Sequence, residues 1–406
     1  MLRPASIAVL ALFALLYGWV AFSFTEPGVL AHSVYCPWPV VVGVDFYPHY
    51  IAGHALRQGL PVYANLREHG GVFVDPVPDH HGLTSRFTYP PPVAWLFAPL
   101  SRLAPRTAWK IRLAGAVAGM TLVLALLGWW CGFDARMLAV LAAAMLVFYP
   151  LHFLAINGNI VMVCLVLTVC GLACIVSGRA AGLGAALLAL GAAVKLYPGI
   201  FLVAFAVQVR WRLAVRMTAA GLFLVALTWR GGLWWTWLER AREFDRFEQV
   251  WYLNGSLFSV LVMGGVTATT AHAAAKVFGV ALIGLALWWS RRPPRDRLEA
   301  LYQAGVLSLA IVLAPTTVYD YNLPFVLPVA AAALWDARRS GLRAPLWLIA
   351  ASFAAMCIPS RLIGDNLWAS KFPWVLLFFA ATSWRYLQLS RPQPGSSLQT
   401  GAAPDA

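Results

Sequence analysis

Apolar residues in this chain come in long runs rather than in alternating positions or narrow stripes. The stretches 108–130, 137–153, 160–176, 213–228, 267–289 and 298–313 are nearly unbroken in Ala, Val, Leu, Ile, Phe, Met and Trp. Runs near the ~20 residues needed to cross a bilayer read as membrane spans. At that depth the backbone must satisfy its own hydrogen bonds, so the spans are helices. The pattern predicts an all-α, polytopic transmembrane helical bundle of about 11 to 13 spans.

The polar breaks orient it. Arg210, Arg212 and Arg216, then Arg291, Arg292, Arg295 and Arg297, then Arg338, Arg339 and Arg343 form short basic segments between apolar runs. Clusters of this kind mark cytoplasmic loops. Stepping through the runs from these anchors puts Asn157, 230–256 and 316–322 outside. The apolar stretch 180–209 is flanked by basic residues at both ends and interrupted by Lys195-Leu196-Tyr197-Pro198. It reads as a helical hairpin with Lys195 at its outer tip.

Residues 1–24 read as an uncleaved first span and 25–88 as a long outer loop. An even number of crossings must then separate that loop from Asn157, yet three apolar segments intervene: 89–103, 108–130 and 137–153. The first is short and broken by Pro90, Pro91, Pro92 and Pro99, which favours a partial helix. Arg102, Arg106, Lys110 and Arg112 point the other way by marking an inner turn. The division is thus 1–24 first span, 25–88 outer catalytic loop with an interfacial helix, 89–391 multi-span helical domain and 392–406 disordered cytoplasmic tail, too polar to pack.

Composition narrows the class. Of 406 residues, 61% are hydrophobic and 11% charged, against about 25% charged in soluble domains, so the surface faces lipid. The net charge of +14 sits in inter-span arginines and does not indicate nucleic acid. The six cysteines show neither metal-ligand spacing nor a disulfide framework. Arginine over lysine and abundant alanine point to a bacterial chain of the inner membrane. Three classes fit the spans: a membrane enzyme, a transporter or lipid flippase, and a structural subunit.

The outer loop carries the candidate chemistry. Apolar or aromatic residues at 46, 50, 51, 55 and 56 mark one face of a short interfacial helix. Asp45 stands at its start, as an ordinary N-cap or as a functional carboxylate. The ordered set Asp45-Phe46-x-x-x-Tyr50-x-Ala52-x-x-Ala55-Leu56-x-x-Gly59-x-x-Val62-Tyr63, Phe87-Thr88-Tyr89-Pro90-Pro91, Lys195-Leu196-Tyr197-Pro198 and Asn254-x-Ser256-Leu257 resembles glycosyltransferase family 87, polytopic enzymes of the GT-C type. Two places depart. Asn157-Gly158-Asn159 stands where members often carry Gly-Gln-x-Asn, and Tyr321-Asn322 follows Asp320 where a histidine is common.

The resemblance implies transfer of a hexose, most often mannose, from a polyprenyl-phosphate donor to a lipid or glycan acceptor on the outer face. It implies Asp45 as general base for the acceptor hydroxyl. The leaving lipid phosphate requires fixed positive charge. Lys195 and Arg86 are the candidates, with His49 one turn after Asp45 as a third donor. Lys195 is equally readable as a lysine snorkelling to the interface, and His49 as a solvated loop histidine. Tyr50, Tyr89, Asn157, Asn159, Tyr197, Asn254, Ser256, Tyr319 and Asp320 are candidates for the substrate cleft. Asp79, His80 and His81 lack a further ligand at metal spacing, so neither a metal nor any other cofactor is expected. The charge-alternating stretch 239–248 reads as a solvated interfacial face over the cleft.

Overall fold

A computed structural model describes residues 3–23, 30–33, 36–41, 43, 45–64, 87–178, 180–245, 255–316, 318, 320–359 and 371–391. Arg86, Asn254, Tyr319, the 79–81 segment, the far end of 239–248 and the 392–406 tail lie outside the described residues. The chain is an all-α polytopic membrane protein. In order come α1 (Pro4–Phe22), a two-stranded antiparallel hairpin of β1 (Leu30–Ser33) and β2 (Cys36–Val41), α2 (Phe46–Gln58), α3 (Pro91–Phe97), α4 (Pro105–Cys131), α5 (Ala135–Val147), α6 (Tyr149–Asn157), α7 (Val161–Val176), α8 (Ala181–Val194), α9 (Gly199–Val207), α10 (Trp211–Leu227), α11 (Leu233–Asp245), α12 (Leu257–Met263), α13 (Ala268–Trp289), α14 (Arg297–Leu313), α15 (Leu327–Ser340), α16 (Ala344–Cys357) and α17 (Phe372–Ser390).

Three described helices, α1, α4 and α13, are long and apolar enough to cross a bilayer alone. The helices α5 and α6, which meet at a 58° bend, pass the same test only when taken together, as a broken span or a re-entrant pair. The break has a local cause. Pro150 has no N–H to give the carbonyl of Leu146 four residues back, and the His152 ring accepts that role, its Nε2 lying 2.6 Å from Leu146 O. Other apolar helices are shorter; α7, α10 and α14 still coincide with the runs 160–176, 213–228 and 298–313 as single helices of 16, 17 and 17 residues.

Helix α3 has seven residues, about 10 Å at ~1.5 Å per residue, and cannot cross. Of the two readings of 89–103, the partial helix is the one realised. Arg112 accordingly marks no inner turn; it lies along α4 with its guanidinium on carbonyls of α6. The 180–209 stretch is two helices broken at 195–198. Arg216, near the start of α10, lies beside Gly182 at the start of α8, so the chain has turned back as a hairpin requires.

Helix α14 is the axis of the bundle, with nearly every residue buried, and packs on α13, α15 and α17. Around it α7 and α8 make the closest pair. A Cβ on Gly184 would lie 2.5 Å from the Gly171 carbonyl oxygen, the small-residue contact that lets membrane helices approach. The basic turns gather at one end of the bundle. There Arg338 pairs with Asp134 at 2.9 Å and Arg297 stands over Trp129. A buried pair, Arg385 with Asp336, joins α17 to α15 with nitrogen–oxygen distances of 2.5 and 2.9 Å. The hairpin tip at Lys195 is at the opposite end of α9 from this basic ring.

Candidate active site

Asp45 occupies the N-cap position of α2 but makes no capping bond. Its Oδ2 accepts instead from the Asn159 amide at 3.0 Å, and the same amide nitrogen donates to the Tyr89 hydroxyl at 3.0 Å. Among the described residues Asp45 has no second side-chain partner, which leaves Oδ1 open. The carboxylate is half-buried. Burial raises its pKa above the usual carboxylate range, and the Asn159 hydrogen bond, then the charges of Lys195 and Arg112, pull it back.

Backbone holds this pair in register. Asp45 N–H donates to Asn157 O at 2.9 Å and Gly43 N–H to Ile156 O at 2.8 Å, so the approach to α2 caps the carbonyl end of α6. Gly158 makes the turn at φ 75°. A Cβ there would lie 2.7 Å from Phe46 Cβ and 2.8 Å from the Trp109 ring. Both the backbone angle and the space therefore require glycine. Arg112 completes the support, donating to Ala155 O at 2.8 Å and to Leu154 O and Asn159 O at 3.2 Å. Helix ends leave such carbonyls unpaired, and a guanidinium fork satisfies several at once.

Lys195 faces the same site. Its Nζ donates to Asn322 Oδ1 at 3.1 Å and lies 5.0 Å from the Tyr197 ring centre and 5.8 Å from that of Tyr89. It is half-buried within the charge field of Asp45, not a lysine extended into the interface. Tyr197 also meets Phe325 edge-on at 5.8 Å.

The other sequence-derived candidates separate by position. His49 is fully buried, its ring 4.5 Å from Tyr89 and 5.1 Å from Phe97. Both ring nitrogens lack a partner among the described residues, and burial pushes its pKa down to about 3. It is a neutral imidazole behind Tyr89, not a solvated one. Tyr50 donates to Leu103 O at 2.6 Å and docks α2 on the turn after α3. Asn157 is buried and serves through its carbonyl. Ser256 caps α12 and donates to Thr316 O at 2.7 Å. Asp320 is buried at the head of a 3₁₀ turn, Asp320–Val326, within the charge field of Lys371.

Helix α11 lies over α3. The Trp237 indole donates to Thr88 O at 3.2 Å, next to Tyr89, and Arg230 donates to Leu56 O of α2 at 3.1 Å. No group of three or more His, Cys, Asp or Glu suited to a metal ion occurs among the described residues. Sequence reasoning missed Asn322, noted only as a departure from a family pattern, and Arg112, read as a topology marker. An arginine inside an apolar run was the available signal.

The glycosyltransferase family 87 model matches residues 87–316, more than half of the chain. The chain belongs to this family. As a family 87 member it is a membrane glycosyltransferase, with a sugar donor and an acceptor as substrates. The matched region includes Tyr89, Asn157, Asn159 and Lys195; Asp45 and Asn322 lie outside it and reach it through the contacts above. No curated protein matches the chain.

Proposed function

We propose that the protein transfers a hexose, mannose in the first instance, from a polyprenyl-phosphate donor to a lipid or glycan acceptor at the outer face of the inner membrane. The observation that carries the reading is the Asp45–Asn159 pair facing the Lys195–Asn322 pair across Tyr89. A sugar hydroxyl is a poor nucleophile until a base takes its proton in the transition state. Asp45 Oδ1 is free for that proton, while Asn159 fixes the carboxylate's rotation. The acceptor oxygen attacks the anomeric carbon as the bond from that carbon to the phosphate oxygen breaks. The electron pair leaves with the lipid phosphate, and the product is inverted. Lys195 supplies positive charge where that anion develops, held by Asn322 and the rings of Tyr197 and Tyr89. No step needs a metal, since one phosphate is stabilised by one ammonium.

The site lies at the end of the helices away from the basic turns, which supports an outer-face donor by the positive-inside rule. The test is a membrane assay with radiolabelled polyprenyl-phosphate mannose against the nucleotide sugar, with the product identified. Label transfer from the lipid donor alone is the expected result. Transfer only from the nucleotide sugar would refute the lipid-donor reading while leaving the family intact.

A further inference from the structure

Three prolines in a row, Pro90, Pro91 and Pro92, follow the tyrosine that stands between the two halves of the site. A carbonyl in a turn is ordinarily met by an N–H two to four residues on, and a proline has none to give. For Thr88 O those positions are 90, 91 and 92, all proline. For Tyr89 O the first two are proline, and the third, Val93 N–H, donates to Pro90 O at 3.0 Å. The Thr88 and Tyr89 carbonyls therefore depend on donors from elsewhere in the chain.

Two side chains supply them. The Tyr63 hydroxyl, from the turn after α2, donates to Tyr89 O at 2.9 Å, and the Trp237 indole, from α11, donates to Thr88 O at 3.2 Å. Trp237 is half-buried, with Trp234 edge-on to it at 5.6 Å. The same arm has a second hold. Just ahead of α11, Arg230 donates at 3.1 Å to Leu56 O in the last turn of α2, where a helix leaves carbonyls unpaired. Helix α11 thus ties the end of α2, which starts beside Asp45, to the entry of α3, which carries Tyr89.

What Tyr89 touches gives that tie a consequence. Asn159 Oδ1 accepts Val161 N–H at 2.9 Å, which fixes the orientation of the side-chain amide. Its nitrogen has two hydrogens, and both are committed, one to Asp45 Oδ2 and one to the Tyr89 hydroxyl, each at 3.0 Å. Displacing Tyr89 removes one of the three bonds that set this amide, and the amide sets the rotation of the carboxylate. Reaction rates are steep in such alignment, with a misplacement of about 1 Å costing on the order of 10²-fold.

We propose that Trp237 is a positioning residue for the transfer reaction: from outside the site it holds Thr88 O, and so keeps the Tyr89 hydroxyl on the amide that orients Asp45. The proposal rests on Asp45 being the base. Trp237 acts through Tyr89, so its removal is felt in kcat and in the ionisation of Asp45 rather than in donor affinity.

The experiment uses the full chain in detergent, with the donor that transfers label in the assay above. Trp237→Phe keeps an aromatic ring and loses the N–H. It is expected to lower kcat about three- to tenfold, the worth of one hydrogen bond, and to leave the donor KM unchanged. The acidic limb of kcat/KM should move to higher pH, because Asn159 then holds the ionised carboxylate less firmly. In Tyr89→Phe, which lacks the hydroxyl, adding Trp237→Phe should cause no further loss. Tyr63→Phe, which removes the other hold, should follow the same pattern. Trp235→Phe loses the same N–H on the exposed side of α11 and should leave kcat unchanged. A second readout needs no substrate: with Tyr89 labelled as 3-fluorotyrosine, Trp237→Phe should shift the fluorine resonance and Trp235→Phe should not. Equal fold-losses from Trp237→Phe with and without the Tyr89 hydroxyl would overturn the proposal, and so would a resonance that Trp237→Phe leaves in place. Because the resonance is read without substrate, a wrong base or donor is told apart from a wrong brace.

Discussion

Asp45 sits where an N-cap would sit, yet its carboxylate is turned to Asn159. That choice sets its protonation. Burial raises the pKa and Asn159 lowers it, so as pH falls activity should decline at a higher pH than an exposed aspartate would dictate. Asn159→Ala removes a bond that favours the ionised form, and its acidic limb should lie at higher pH still; pH profiles of kcat/KM for the two proteins check this. Asp45→Asn keeps the size and loses the base, and turnover should fall about 10²- to 10⁴-fold, with an unchanged melting profile as the control for folding. At Lys195 the decisive readout is donor dependence. Lys195→Met should raise the donor KM and lower kcat, and Lys195→Arg should keep part of both; a donor curve unaltered in Lys195→Met would leave this lysine a structural partner of Asn322. Asp45 and Lys195 were singled out in the sequence, the first by its place before an interfacial helix and the family's opening motif, the second by its place at a hairpin tip, and the structure brings both to Tyr89 through Asn159 and the Lys195 ammonium. Their pairings were not legible there, since nothing in the spacing of an asparagine at 159 or 322 says which side chain it will face.

At the scale of elements, the site depends on how α2 is fastened to α6. Gly158 is the tightest point of that junction. Gly158→Ala combines a left-handed backbone with a clash against Phe46 and Trp109. It should cost about 1 to 3 kcal/mol of stability from the backbone alone, and more than that in activity because Asp45 moves with Phe46. Gly182→Ala is the matched control, since its new methyl would meet only Arg216 at ordinary contact distance. Thermal midpoints and turnover of both variants separate the outcomes. The break at Pro198 was legible in the sequence, and the prolines of 89–103 favoured a partial helix against the basic residues that argued for a crossing, because proline acts locally; the break at Pro150, inside a run read as unbroken, was not. Nor was the bend angle at 148, where His152 replaces a lost backbone donor, or the placing of Arg112 on α6, because both depend on what packs alongside.

For the whole molecule, the arginine clusters predict which end of the bundle lies inside. The basic turns cluster at one end and the candidate site opens at the other. In a background without the six native cysteines, Leu60→Cys and Leu196→Cys should react with an impermeant maleimide in intact cells; both positions are exposed. Arg212→Cys and Arg339→Cys should react only after the membrane is opened. Labelling of Leu60→Cys confined to opened cells would invert the active face and remove the outer-leaflet donor. The number of spans was harder to read, since hydropathy cannot distinguish one long helix from two short ones joined by an unwound residue.

The partners in the site come from far apart in the chain, 114 residues between Asp45 and Asn159 and 127 between Lys195 and Asn322. Synthesis runs at about 5 to 20 residues per second, so roughly 6 to 23 seconds separate synthesis of the aspartate from arrival of its amide. The lysine waits as long again for its asparagine. The two intervals follow one another: the aspartate waits alone until Asn159 is made, and the lysine, made after that, waits until Asn322. The site is therefore assembled in two halves during synthesis, the Asp45–Asn159 pair before Lys195 exists and the Lys195–Asn322 pair after it.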